Sequence, residues 1–261
     1  MKIGLIGGSG LYDIEGLEIK GDVSISTPYG YPSSAYKVAT LNGKELFFLQ
    51  RHGIPHRIPP HKINYRANIW GFKSLGVERI IAINAVGGIN SSYRPGDIVV
   101  VDQIIDMTFG SRASTFYEEG DVYHIDFTYP YCSEMRETFI KASEDLMLPV
   151  KRAGTYICVS GPRLETAKEI EFFSNIGADV VGMTAMPEAS LARELEMCLC
   201  GLSIVTNYAA GISKERLTTT EVVNTMEGSI GKLKLLLKEF LSLIPQSRSC
   251  SCKDALRDAK I

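Results

Sequence analysis

No stretch of the 261-residue chain approaches the roughly 20 consecutive apolar residues that a membrane helix requires. A secretory signal is also missing, because Met1-Lys2-Ile3-Gly4-Leu5-Ile6 enters a strand directly and the cytoplasm is the expected location. Charge of one sign is not in excess: 28 Lys and Arg against 30 Asp and Glu leave a net charge of −2. That balance provides no whole-molecule attraction for nucleic acid or an anionic membrane, although a local cationic cluster for a small anion is compatible with it. There is no HExxH, no Walker lysine motif and no Ser–His–Asp ordering. Gly7-Gly8-Ser9-Gly10-Leu11 is glycine-rich but is not a G-x-G-x-x-G that opens a helix, which removes the dinucleotide fingerprint. Internal repeats and low-complexity segments are absent.

Histidine is scarce, and three of the four (His52, His56 and His61) crowd into one proline-braced loop whose spacing fits no zinc site. Six cysteines are scattered. Cys132, Cys158, Cys198 and Cys200 lie in or beside apolar segments, where a free cysteine behaves as a small core residue. Cys250-Ser251-Cys252 sits in a polar tail and reads either as a disulfide or redox pair or as idle thiols, with no zinc partners at metal-ligand spacing. The expected organisation is one α/β domain over residues 1–245, followed by a linker-like tail, 246–261.

What the chain does have is a set of buried-strand patterns that end in polar or glycine-rich turns. Asp179 to Gly182 reads as a buried strand, Pro187 and Glu188 as the first turn of a helix running to Met197, and Leu202 to Thr206 as the next strand. Such a strand–helix–strand unit predicts parallel strands joined by a right-handed crossover. Ligands then collect at the carboxyl ends of the strands, where Met183, Thr184 and Asn207 stand. Other strands deliver Gly7-Gly8-Ser9, Arg51-His52-Gly53 and Asn84-Ala85 to the same kind of edge. Hydroxyls, backbone donors, a guanidinium and an imidazole form a suitable lining for inorganic phosphate. Asn42-Gly43 predicts a hairpin, and helices are expected over 64–75, 134–148, about 166–175 and 220–244. The irregular aromatic stretch from Met107 to Tyr131, which contains His124, suggests a lid or a subunit interface. Glu165, at a strand-to-helix turn, either caps the helix or faces a ligand.

Taken together, Gly7-Gly8-Ser9-Gly10-Leu11, Arg51-His52-Gly53, Asn64 to Trp70, Asn84-Ala85-Val86-Gly87-Gly88, Pro95-Gly96-Asp97, Gly161-Pro162-Arg163 and Gly182-Met183-Thr184 to Glu188 resemble the purine nucleoside phosphorylase / methylthioadenosine phosphorylase family. The resemblance spans about Lys2 to Ile244. It implies a single α/β domain with a mixed central sheet flanked by helices, assembled as trimers or dimers of trimers. It implies phosphorolysis of a purine nucleoside, with inorganic phosphate as co-substrate and neither cofactor nor metal. Phosphate would be held by Ser9, Arg51, His52, Asn84, Ala85 and Thr184. Met183 would pack beneath the ribose, Asn207 and His52 would carry catalytic roles, and His124 would reach a neighbouring subunit's site.

The purine edge favours 6-oxopurines. Methylthioadenosine-cleaving members generally carry Asp-Tyr-Asp where this chain has Asn207-Tyr208-Ala209, and a serine where this chain has Glu165. An asparagine amide accepts from N7–H and donates toward O6, Ala209 offers no acceptor to a 6-amino group, and Glu165 suits N1–H. Thr219, Val222 and Val223 fall where the family binds the 5′ group, so 5′-methylthioinosine stands beside inosine and guanosine as a substrate. The alternatives are a 5′-methylthioadenosine phosphorylase and a non-catalytic nucleoside-binding protein.

Overall fold

A computed structural model describes residues 1–8, 14–110, 112–213 and 219–261. Among these, ten strands form one mixed sheet: β1 (Lys2–Gly7), β2 (Glu18–Val23), β3 (Tyr36–Leu41), β4 (Lys44–Gln50), β5 (Arg79–Gly88), β6 (Ile98–Val100), β7 (Gln103–Met107), β8 (Thr155–Val159), β9 (Val180–Gly182) and β10 (Cys198–Tyr208). The spatial order is β2-β3-β4-β1-β5-β9-β8-β7, with β10 on β5 and β6 on β10. Five helices accompany it: α1 (Tyr65–Ser74), α2 (Ser133–Asp145), α3 (Ala167–Asn175), α4 (Ala185–Glu194) and α5 (Thr219–Leu243). The expected α/β class and mixed sheet are therefore present.

Side-chain alternation along the central strands sorts the core onto two faces. Ile3 and Leu5 of β1, with Cys198, Cys200, Leu202 and Ile204 of β10, pack against α2 and α5, where Phe139 and Phe240 stack at 3.8 Å. Ile6, Leu199 and Val205 face the other way, toward Ile69 and Phe72 of α1 and Ala189 and Leu191 of α4. A smaller cluster around Ile170 and Phe173 seats α3 against Ile157 and Val181. Local signals set the ends of these elements. The Asn64 side chain caps α1 by accepting from the Ala67 N–H at 3.1 Å. Asn42 and Gly43 both adopt positive φ, 50° and 72°, and close the β3–β4 hairpin.

Two expectations are corrected. β9 and β10 are not a parallel pair: β9 runs antiparallel to β5, matching Gly87 with Val181, whereas β10 runs parallel to it. The direction of β9 follows β8, its parallel neighbour on the other side, and a run of valines carries no information about direction. The tail after Pro245 is not linker-like. Arg248 Nη1 donates to the Glu196 carbonyl at 2.7 Å, Ile261 N–H donates to Val122 O at 3.1 Å, and Cys252 and Ala259 are buried. Its polar composition reflects hydrogen-bonded docking.

The docking converges on Glu134. One carboxylate oxygen accepts from the fully buried Arg79 at 2.9 Å, while the other accepts from the Ser249 backbone N–H at 2.8 Å and from its hydroxyl. Burial works against the Glu134 charge, yet the Ser249 hydrogen bonds and Arg79 outweigh it and hold the carboxyl below its ordinary range. Glu134→Ala leaves a buried guanidinium without its counter-charge and frees the tail. The expected loss is about 3–5 kcal/mol of unfolding free energy, read from urea melts; a loss near zero would contradict this account.

Candidate active site

A cleft of about 240 Å³ opens at the carboxyl ends of β4, β5, β9 and β10. It brings together Arg51, His52, Asn84, Ala85, Met183, Thr184, Glu165, Asn207, Ala209 and Val222, ten of the residues singled out in the sequence. A second hollow of about 380 Å³, lined by Met107, Phe109, Gly161, Phe172 and Phe173, adjoins it through the shared Glu165. Tyr208 contributes its carbonyl, and Val223 is 52% exposed and does not line the cleft. Ser9 and the Thr219 side chain lie outside the described residues. His124 is exposed and away from the cleft, its N–H bonded to Ala259 O at 2.8 Å.

Arg51 is buried and does not present an open positive charge. Its Nε and Nη2 grip both Glu188 oxygens at 2.6 and 3.0 Å, while Nη1 donates to Ile83 O at 2.8 Å and Nη2 to Ile6 O at 3.3 Å. Four of the five guanidinium N–H groups are thus used, and one on Nη1 remains. Desolvation opposes the Arg51 charge, but Glu188 overcomes it and raises the pKa. Glu188 was legible only as an acid in a helix's first turn; its part as the counter-ion of Arg51, 137 positions away, was not.

His52 is neutral. Burial is the main cause, and it pushes the imidazole down to about 4 even though the contact with Ile58 O raises it. That carbonyl lies 2.8 Å from Nδ1, which fixes the proton there and leaves Nε2 as an acceptor. The His56 ring stacks on it at 4.2 Å. Asn84, 4% exposed, accepts from Thr184 Oγ1 at 2.9 Å through Oδ1, and its Nδ2 has no partner among the described residues. Thr184 precedes α4 without capping it through its side chain, and Met186 departs from helical geometry (φ −109°, ψ 134°), so the regular turns of α4 begin only at Pro187. The Thr184 N–H donates to the Tyr156 hydroxyl at 3.3 Å, and Tyr156 fits only because residue 182 is glycine: a Cβ there would lie 2.1 Å from that oxygen.

At the other wall, the pairing of β10 with β5 shifts register between Val205 and Asn207, a bulge that re-aims the Asn207 side chain. Asn207 Oδ1 accepts from Thr206 Oγ1 at 2.9 Å and Nδ2 donates to Tyr208 O at 2.8 Å, leaving one lone pair and one N–H on the amide. Glu165 does not cap α3. Thr166 does, through a reciprocal capping box with Glu169, and Glu165 is left to the cleft with its pKa raised by desolvation. Arg112, which the sequence did not mark, stacks over Tyr65 and donates to Met186 O and to Ser160 O, tying the aromatic stretch to the start of α4.

The Phosphorylase superfamily model matches residues 2–242. The chain belongs to the phosphorylase superfamily. It is 53% identical over 259 residues to a probable S-methyl-5′-thioinosine phosphorylase of Thermodesulfovibrio yellowstonii, covering 99% of this chain and 97% of that one. It is 50% identical over 265 residues to the 6-oxopurine nucleoside phosphorylase of Pyrococcus furiosus, covering 99% and 98%. It is 46% identical over 256 residues to the S-methyl-5′-thioadenosine phosphorylase of the same organism, covering 98% of each. Among solved structures, a methylthioadenosine phosphorylase from an antarctic soil metagenomic library superposes with a TM-score of 0.92 at 35% identity, over 99% of this chain and 92% of that one.

The depressed His52 pKa has a signed consequence. The unfolded imidazole protonates near its ordinary 6.5 and the folded one near 4, so stability is lost as pH falls from about 6.5 toward 4. Urea midpoints measured across that window should show a smaller decline in His52→Gln than in the parent; equal slopes would place the neutral imidazole in doubt.

Proposed function

We propose that this superfamily member catalyses phosphorolysis of 6-oxopurine nucleosides (inosine, guanosine and 5′-methylthioinosine) to the free base and ribose-1-phosphate or its 5-methylthio counterpart. The observation that carries the reading is Asn84 Nδ2, a buried donor with no partner among the described residues, in a cleft whose other groups are fixed. Such an orphan is costly unless a ligand acceptor completes it. A phosphate oxygen at this corner would also receive the remaining Arg51 N–H, with Ser9, Ala85 and Thr184 as the other members of the proposed cradle. Neutral His52 suits a phosphate dianion, whose one P–O–H donates to Nε2.

In the reaction the C1′–N9 bond breaks, its electron pair passes to the purine, and a phosphate oxygen forms the new bond to C1′. The dianion stabilises the oxocarbenium-like sugar before capture, so positioning and electrostatics do the catalysis. Asn207 Oδ1 has one lone pair left for N7–H, and its spare Nδ2 proton faces O6. Met183 lies beneath the ribose, close against Gly161. Glu165 accepts N1–H, which compensates the burial that raises its pKa. Ala209 offers nothing to a 6-amino group, and Val222 is assigned to the 5′ substituent. No cofactor takes part; phosphate is a co-substrate.

Assembly as a trimer or a dimer of trimers, with His124 entering a neighbour's site, is part of the same proposal. Its support is the exposure of His124, Phe109 and Tyr129 on the aromatic stretch. A cytoplasmic salvage role completes it, and among the described residues no helix is long and apolar enough to cross a membrane.

The test is base release from inosine, guanosine, methylthioinosine, adenosine and methylthioadenosine, each with and without phosphate. Phosphate-dependent cleavage confined to the 6-oxo substrates is expected. Robust cleavage of methylthioadenosine would overturn the specificity and keep the reaction, whereas no phosphate-dependent release from any substrate would leave a nucleoside-binding protein. In Glu165→Gln, kcat/KM for inosine should fall by about a hundredfold or more, while the ratio of adenosine to inosine turnover rises. An unchanged ratio would remove Glu165 from base recognition.

A further inference from the structure

Far from the cleft, four cysteines meet that the sequence kept apart. Cys132 directly precedes α2, Cys198 is the first residue of β10, and Cys250 and Cys252 flank Ser251 in the docked tail. Their Sγ atoms all lie within 4.8 Å of one another. Cys132, Cys198 and Cys252 are buried and Cys250 partly so, and all four are free thiols. Spacing alone hid this site, because Cys250-Ser251-Cys252 finds its partners 52 or more positions upstream, on two other elements.

We propose that Cys132, Cys198, Cys250 and Cys252 bind one structural zinc ion as a closed tetrathiolate site. Four sulfurs on a tetrahedron of Zn–S bonds near 2.3 Å stand about 3.8 Å apart. An all-against-all cluster within 4.8 Å, with Cys198 and Cys250 at 3.3 Å, needs only small side-chain adjustments to reach that figure. Four soft sulfurs in mutual contact fit a tetrahedral S4 metal site and suit neither calcium nor magnesium. Four thiols lose four protons on binding, so the zinc centre carries two net negative charges. The Arg248 guanidinium, anchored on Glu196 O and Glu78, lies near Cys198 and Cys250 and offsets part of that charge. A hollow of about 450 Å³, lined by Cys132, Cys250 and Cys252 on one side, provides an approach for the ion.

The ion would clasp the tail to the core. Residues 259–261 pair with Val122 to His124, so the clasp also secures the segment that carries His124. The site's chemistry is independent of the nucleoside reaction, and its test reads metal and thiols.

Full-length protein purified under mild reductant, without metal-affinity resin, should contain about one zinc per chain by elemental mass spectrometry. Its four cluster thiols should stay unreactive until a mercurial or strong chelator releases the ion. Co2+ loaded in its place should give thiolate charge-transfer and tetrahedral d–d absorption. Cys250→Ser/Cys252→Ser should lose the metal; Cys200→Ser, which alters another buried cysteine of β10 outside the cluster, should keep it and serves as the folding control. A metal-free native protein overturns the proposal in either of two forms: a denatured mass four hydrogens short, meaning two disulfides, or four thiols that titrate freely. Iron absorption in place of zinc overturns the choice of ion.

Discussion

A buried ion pair holds the cleft together. The Arg51 guanidinium at the end of β4 and the Glu188 carboxylate in the first turn of α4 are each withdrawn from water, and neither is tolerable there without the other. Their two-point grip, extended to the carbonyls of Ile6 and Ile83, ties the ends of β1, β4 and β5 to the helix that presents Thr184. Once these ends are fixed, Asn84, Ala85 and Thr184 have little freedom left. The corner is preorganised by charge that is already neutralised, so it offers directional donors in place of an open cation.

The same economy governs the imidazole and the second carboxylate. His52 is kept neutral by burial and oriented by Ile58 O, so its Nε2 is left as an acceptor. Glu165 sits at the other end, where burial outweighs the pull of Arg163, whose guanidinium is engaged in a two-oxygen pairing with Glu169. One end of the cleft wants an acceptor for an orphan donor, and the other wants a donor for a reluctant carboxylate. A molecule joining an oxyanion site to a ring N–H satisfies both.

Much of this was legible in the sequence because strand ends followed by glycine or small polar residues are local signals. Arg51-His52, Asn84-Ala85, Thr184 and Asn207 were found that way, and the structure gathers them in one cleft. Partnerships across long separations were not legible: Glu188 with Arg51, Arg112 with Met186, and Cys132 and Cys198 with the tail depend on which strands become neighbours. Strand direction was invisible for the same reason, so β9 was assigned the wrong sense relative to β10. β7 escaped because Gln103 and Asp106 break its apolar run. The tail misled because its polar residues find their partners on elements more than 50 positions away.

The docked tail also imposes an order of events during synthesis. Chains emerge amino end first at several residues per second, and early segments can pack while later ones are still being made. Val122 to His124 cannot do so, since its backbone partners are residues 259 to 261. Arg79 likewise waits for the carbonyl of Ser247, and its partner Glu134 waits for the backbone N–H and hydroxyl of Ser249. Until residues 247–261 are made, Arg79 and the aromatic stretch lack the bonds that these residues supply. The last fifteen residues are thus structural partners of segments made much earlier.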